Sequence, residues 1–263
     1  MSLLYKKIYI FRHKGSNGGN VLQHKSAKFW LIVFSVMLVT TAGAGIITRL
    51  KGYQSNNTFP LEFTAADTIK IEQLDDSDIK VMTEVIVDKD KSAFIFLDEE
   101  SGEYRGAVNV DGKSYDIGQV SMENAGEDLP GIEETQVFGM TAVKFYGVLG
   151  ANYAQAFYWL VERKAEDSVL QIDGNTREVD LDSDDKKEIV ATTGTIPETK
   201  IYMLKDASIV AADVNKAMGA KAVLLQDESN KLFEVYFEPN KPEQFVYQND
   251  SLLRKIGYRE SAV

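Results

Sequence analysis

The sequence predicts an all-β domain carried behind one N-terminal transmembrane helix. Residues 29–47 run without a single charged side chain. From about residue 61 onward, short β-branched and aromatic runs recur at roughly ten-residue spacing, separated by Gly, Asp, Asn and Pro. All 40 acidic residues lie beyond residue 51. The first observation predicts the helix, the second the strands and turns, and the third separates two halves of opposite charge.

Residues 1–28 form a basic tail, and residues 1–51 together hold eight of the 29 Lys and Arg residues. The run Phe29–Ile47 follows. As a helix it is about 28 Å long, close to the ~30 Å hydrocarbon core of a bilayer. Trp30 stands where an interfacial aromatic belongs, and the preceding Lys and Arg place the N-terminus in the cytoplasm. This makes a cell-membrane protein with residues 52–263 extracytoplasmic. Ala42-Gly43-Ala44 has the small-x-small pattern of a signal-peptidase site, so secretion after cleavage near Ala44 is the alternative. The long basic region and the continuation through Ile46-Ile47 favour an uncleaved anchor.

Residues 48–60, rich in Gly, Ser, Asn and a Pro, read as a linker. The β domain is expected over 61–263. Val81–Val87 and Ala93–Leu97 flank a charged turn at Asp88–Lys91. Tyr104–Val110 and Lys113–Ile117 flank Asp111-Gly112, a strong hairpin signal. Residues 124–134, with Gly126, Pro130 and Gly131, read as a loop that divides two sub-domains. Val137–Tyr146 and Ala156–Val161 read as strands. Ser168–Ile172 is expected to pair with Thr176–Val179 across Asp173-Gly174-Asn175. Beyond these come strands at Glu188–Thr193 and Lys200–Leu204. A short helix over 213–219 is capped by Asp213 and stopped by Gly219. The last hairpin, Ala222–Leu225 with Lys231–Phe237, turns at Asp227–Asn230, and a strand near Phe245–Tyr247 finishes the domain.

Between two of these strands lies Asp180-Leu-Asp-Ser-Asp-Asp-Lys-Lys-Glu188. Asp180, Asp182, Asp184 and Glu188 occupy loop positions 1, 3, 5 and 9. Calcium takes roughly six to eight hard oxygen ligands, which a short loop supplies by turning alternate acidic side chains inward. Four such carboxylates repel one another unless a cation joins them. The twelfth residue is Ala191, so the helix-flanked calcium loop with its closing Glu is excluded. A solvated acidic turn between strands is the competing reading.

Asp180, Asp182, Asp184, Glu188 and the apolar pair Ile189-Val190 resemble the calcium loops of FG-GAP and VCBS repeats, the blades of integrin-type β-propellers. The resemblance covers about residues 156–219. Asp185 departs from it, standing where the family has the Gly of the sharp turn. The resemblance implies Ca2+ as the ion. It also implies a propeller-like or partial-propeller antiparallel domain, with four or five blades of about 45 residues at most. A β-sandwich is the alternative fold.

The composition excludes several chemistries. Both histidines, His13 and His24, precede the membrane segment, and there is no cysteine. Catalysis by a Ser-His-Asp or Cys-His set is therefore absent from residues 52–263, as is a His-ligated zinc site. Those residues hold 40 acidic and only 21 basic side chains, a balance that repels nucleic acid. The aromatic stretches Lys144–Tyr153 and Phe157–Trp159 suggest either a stacking platform for sugar rings or core packing, and the alternation of Phe157, Trp159 and Val161 favours the core. The expected function is a membrane-anchored, calcium-stabilised binding or structural module at the cell envelope, not an enzyme, with an envelope ligand or protein as partner. The alternatives are an envelope sensor signalling through its basic tail and a carboxylate-based hydrolase of wall polymers.

Overall fold

The chain divides into two units, Met1–Gln54 and Ser55–Val263. The computed structural model describes residues 57–75, 79–122, 130–150, 153–164 and 168–255. The basic tail 1–28, the expected membrane segment 29–47 and most of the expected linker 48–60 lie outside the described residues. Among the described residues, no helix is long and apolar enough to cross a membrane.

The domain is all-β, built of four antiparallel five-stranded sheets, none closed on itself. Its first strands are short: β1 (Thr58–Pro60), β2 (Thr64–Ala65), β3 (Thr68–Ile69) and β4 (Glu72–Gln73). Four up-and-down meanders follow. Sheet 1 contains β5 (Lys80–Asp88), β6 (Lys91–Asp98), β7 (Glu103–Val110) and β8 (Lys113–Met122). Sheet 2 contains β9 (Gly131–Val137), β10 (Met140–Gly150), β11 (Tyr153–Leu160) and β12 (Val169–Asp173). Sheet 3 contains β13 (Asn175–Val179), β14 (Glu188–Thr193), β15 (Glu198–Lys205) and β16 (Ser208–Asp213). A short helix, α1 (Val214–Met218), leads into sheet 4, formed by β17 (Ala222–Asp227), β18 (Leu232–Glu238), β19 (Lys241–Gln248) and β20 (Ser251–Arg254).

The fifth strand of each sheet comes from residues 58–73, taken in reverse order. β1 pairs with β20, β2 with β16, β3 with β12 and β4 with β8. These residues form a strap along the last strand of every meander. Their apolar side chains enter each core in turn. Phe59, Leu61 and Phe63 pack between sheets 3 and 4, Ala66 between sheets 2 and 3, and Ile69 and Ile71 between sheets 1 and 2. Leu74 packs on the other face of sheet 1. Thr58–Pro60 is therefore a strand of the domain, not the end of a linker.

The sheets pack in series, 1 on 2, 2 on 3 and 3 on 4, each junction filled by its own apolar cluster. Strand β11 shows the consequence. Phe157 and Trp159 face sheet 1, whereas Ala156, Tyr158 and Leu160 face sheet 3, and all five are buried. A strand covered on both sides reads as a continuous apolar run, and each large side chain so buried contributes about 1.5–3 kcal/mol. The aromatics of Phe157–Trp159 are thus core and not a sugar platform. Four sheets in series also exceed the two layers of a sandwich.

Three sequence expectations are corrected. Ser168–Ile172 and Thr176–Val179 do not form a hairpin: β12 pairs with β11 and β13 pairs with β14. A single residue, Gly174, joins β12 to β13, too few for a hairpin loop. Its φ is 110°, and a Cβ there would meet the Thr192 carbonyl oxygen at 2.5 Å. The run Val137–Tyr146 is broken by a two-residue turn, Phe138 and Gly139, with φ of 57° and 72°. Such a turn normally shows Asn-Gly or Asp-Gly. Phe138 takes the place of Asn because its ring is buried between sheets 2 and 3. Finally, β9 begins at Gly131, inside the expected loop 124–134, of which residues 124–129 lie outside the described set. One apolar core, that of sheets 1 and 2, contains residues from both sides of that loop.

Candidate metal centre

Strands β13 and β14 pair from Asn175 opposite Thr192 to Val179 opposite Glu188. The connection between them, residues 180–187, is long. The corresponding first turns of sheets 2 and 4 are residues 138–139 and 228–231. Leu181 fixes the loop, since it is buried in the core between sheets 3 and 4. Asp180 shapes the rest. One of its oxygens accepts from the amides of Ser183 at 2.7 Å and Asp184 at 3.2 Å, and the other accepts from the amide of Asp185 at 3.2 Å. Ser183 and Asp185 adopt the left-handed region, with φ of 67° and 66°. Asp185 thus takes the backbone that a Gly would take, as a short polar side chain can.

The flanking turns hold the loop on both sides. The Phe138 amide donates to the Lys187 carbonyl at 2.8 Å. The Lys231 ammonium donates to the Ser183 hydroxyl, and Arg177 pairs with Glu228 at 3.2 Å. Residues 180–187 are therefore tied to sheets 2 and 4 as well as to their own.

Asp180, Asp182 and Glu188 each present an oxygen, and the three oxygens lie within 4.8 Å of one another. This cluster can hold a metal ion. Asp184, the fourth expected ligand, is not part of it. Its carboxylate accepts from the Lys186 ammonium at 2.8 Å and from the Lys186 amide at 2.9 Å. A lysine two residues along supplies Asp184 with a local cation in water, while its carboxylate stays beside that of Asp182.

Glu188 differs from the others because it is buried, with 5% of its surface exposed. One carboxylate oxygen accepts from the Leu181 amide at 2.7 Å. Burial pushes its pKa up to about 7, opposed by the Leu181 hydrogen bond and reinforced by Asp182, Asp184 and Asp180. Asp182 is also raised, first by burial and then by Asp184. Asp184 is lowered by Lys186. A buried carboxylate facing two others, with no Lys or Arg paired to it among the described residues, suits an added cation. The donors are all hard oxygens, which favours Ca2+ or Mg2+ over the softer transition metals.

A second polar cluster has no motif in the sequence. Lys144 of β10 is buried, and its ammonium lies 2.8 Å from a Glu178 oxygen and 3.8 Å from Glu133. The Tyr158 hydroxyl donates to the same Glu178 oxygen and lies 2.7 Å from the Thr176 hydroxyl. The available signal was a lone lysine inside the apolar run Thr141–Tyr146. The cluster bridges sheets 2 and 3 and is structural in character.

No protein-family model, curated protein or solved structure matches this chain.

Proposed function

We propose that the chain is a single-pass membrane protein whose outward β domain, an open propeller-like array of four sheets, is stabilised by calcium and serves as a binding or structural module at the cell envelope. The observation that carries this reading is the convergence of the Asp180, Asp182 and Glu188 oxygens within 4.8 Å, with Glu188 buried. The likeness of the loop to FG-GAP and VCBS calcium loops supports Ca2+ as the ion. The uncharged run Phe29–Ile47 behind a basic tail supports the anchor and its orientation. The absence of His and Cys beyond residue 24 supports a binding role over catalysis by those groups. Asp180, Asp182 and Glu188 would hold the ion. It would neutralise a buried carboxylate and pin a loop already tied to sheets 2, 3 and 4.

Thermal melting of the full chain in detergent tests the metal. A site filled at about one hundred times its Kd gains about 2.7 kcal/mol. The expected result is a melting temperature several degrees higher in millimolar calcium than in chelator, with the rise lost in Asp182→Ala. Equal melting in calcium and chelator removes calcium from the reading.

A further inference from the structure

The junction between sheets 2 and 3 opens at one end into a cavity of about 630 Å3. Strands wall it on both sides, and strap residues Thr64–Asp67 line it as well. Its volume falls within the usual range of small-ligand sites, about 300–1,000 Å3. None of its residues belongs to the candidate metal cluster.

Two tyrosines set its character. Tyr153 is 42% exposed, yet its hydroxyl donates to Asp173 at 2.7 Å, so the ring is held as a fixed apolar face open to solvent. Tyr202 is the opposite case. It is 92% buried against the core of sheets 2 and 3, lines the cavity, and its hydroxyl has no hydrogen-bond partner among the described residues. That hydroxyl keeps contact with solvent, so it is open to a partner in the cavity. Around these rings, Asp67, Gln171, Glu198 and Lys200 line the cavity with polar side chains that make no hydrogen bond or ion pair to described residues.

The chemistry of the lining selects a ligand class. Four carboxylates (Asp67, Asp173, Glu198, Asp213) outnumber two ammonium groups (Lys200, Lys216), which disfavours an anion. A dedicated cation site would present acceptors alone, whereas Lys200, the Gln171 amide and the Tyr202 hydroxyl are donors. A polyol offers a donor and an acceptor at every hydroxyl and an apolar C–H face for an aromatic ring. We propose that this cavity binds a short neutral saccharide, stacked on Tyr153 and hydrogen-bonded to Tyr202 and Glu198. The proposal rests on the binding-module reading and names its ligand class.

The test is calorimetric titration of the full chain, in a detergent without a sugar headgroup, with chitotetraose, cellotetraose, maltotetraose and xylotetraose. Inorganic phosphate and spermine serve as anionic and cationic probes. The expected result is saturable binding of at least one tetrasaccharide. Glu198→Gln and Tyr202→Phe should each weaken it about tenfold, the loss that follows removal of one good hydrogen bond to a charged or buried group. Tyr153→Ala should weaken it comparably. Tyr202→Phe removes a single oxygen, so it keeps the test valid if Tyr153→Ala disturbs the fold. Absence of binding by all four saccharides, binding unchanged in Tyr202→Phe and Glu198→Gln, or binding of phosphate or spermine in their place overturns the proposal. The calcium-dependent melting shift is read separately, so failure here is distinguishable from failure of the metal.

Discussion

Replacing Glu188 by glutamine should stabilise the metal-free chain and lose that advantage when calcium is present. Burial raises the folded-state pKa of this carboxyl from 4.5 to about 7. The folded chain therefore holds the proton more tightly than the unfolded chain. Metal-free stability falls as pH climbs from about 4.5 to about 7, and above that range the full cost is present. At about 1.4 kcal/mol per pKa unit, the cost of ionised Glu188 is about 3 kcal/mol. Glutamine mimics the protonated acid and keeps an acceptor for the Leu181 amide. In chelator at pH 8, Glu188→Gln should thus melt about 6–12 °C higher than the parent, taking about 2–4 °C per kcal/mol for a domain of this size. In chelator at pH 4.5 the two should melt together. In calcium at pH 8 the gap should nearly close, because the parent gains about 2.7 kcal/mol from the ion and the variant does not. The assay is calorimetric melting at both pH values with and without calcium. If the variant gains nothing in chelator at pH 8, the buried carboxyl carries no penalty. If it keeps the calcium response, Glu188 is not a ligand.

Other consequences are open to measurement by urea denaturation. Lys144→Ala leaves the half-buried Glu178 without its cation and should cost about 2–3 kcal/mol, whereas a paired Lys144→Met, Glu178→Leu variant should recover most of that loss. Leu61→Ala opens a cavity where the strap enters the core between sheets 3 and 4 and should cost about 2–4 kcal/mol; a loss below about 0.5 kcal/mol would show that the strap is a passive cover. Gly174→Ala places a methyl against the Thr192 carbonyl at a φ of 110° and should cost at least about 2 kcal/mol.

Legibility in the sequence followed the locality of the signal. Glu188–Thr193 was readable as a strand to the residue, because its β-branched run stands alone between turns. The short helix was equally plain. Asp213 accepts from the Lys216 amide, and Gly219 caps the other end at a φ of 64°. Asp111 and Gly112 turn with φ of 53° and 74°, as their identities announce. The failures involve partners far away in the chain. Phe138 turns because a core waits for its ring, and nothing beside it says so. Gly174 looks like the middle of a hairpin, but the next strand pairs with another sheet. The strap strands of two or three residues are too short to show alternation. At the acidic loop 180–188, spacing alone grouped four acids. It could not foresee that Lys186 would pair with Asp184, or that Glu188 would be buried while Asp184 stayed exposed.

The reversed order of the strap has a consequence for biosynthesis. Translation delivers β4 just ahead of sheet 1, whose last strand it joins, and each later meander meets the next strap strand upstream. As the chain leaves the ribosome, every completed meander finds its closing strand already made. Assembly can advance like a zipper, from the downstream end of the strap toward β1, which waits for residues 251–254 to emerge. Loss of that final strand would leave β1 without its partner while sparing the three earlier closures.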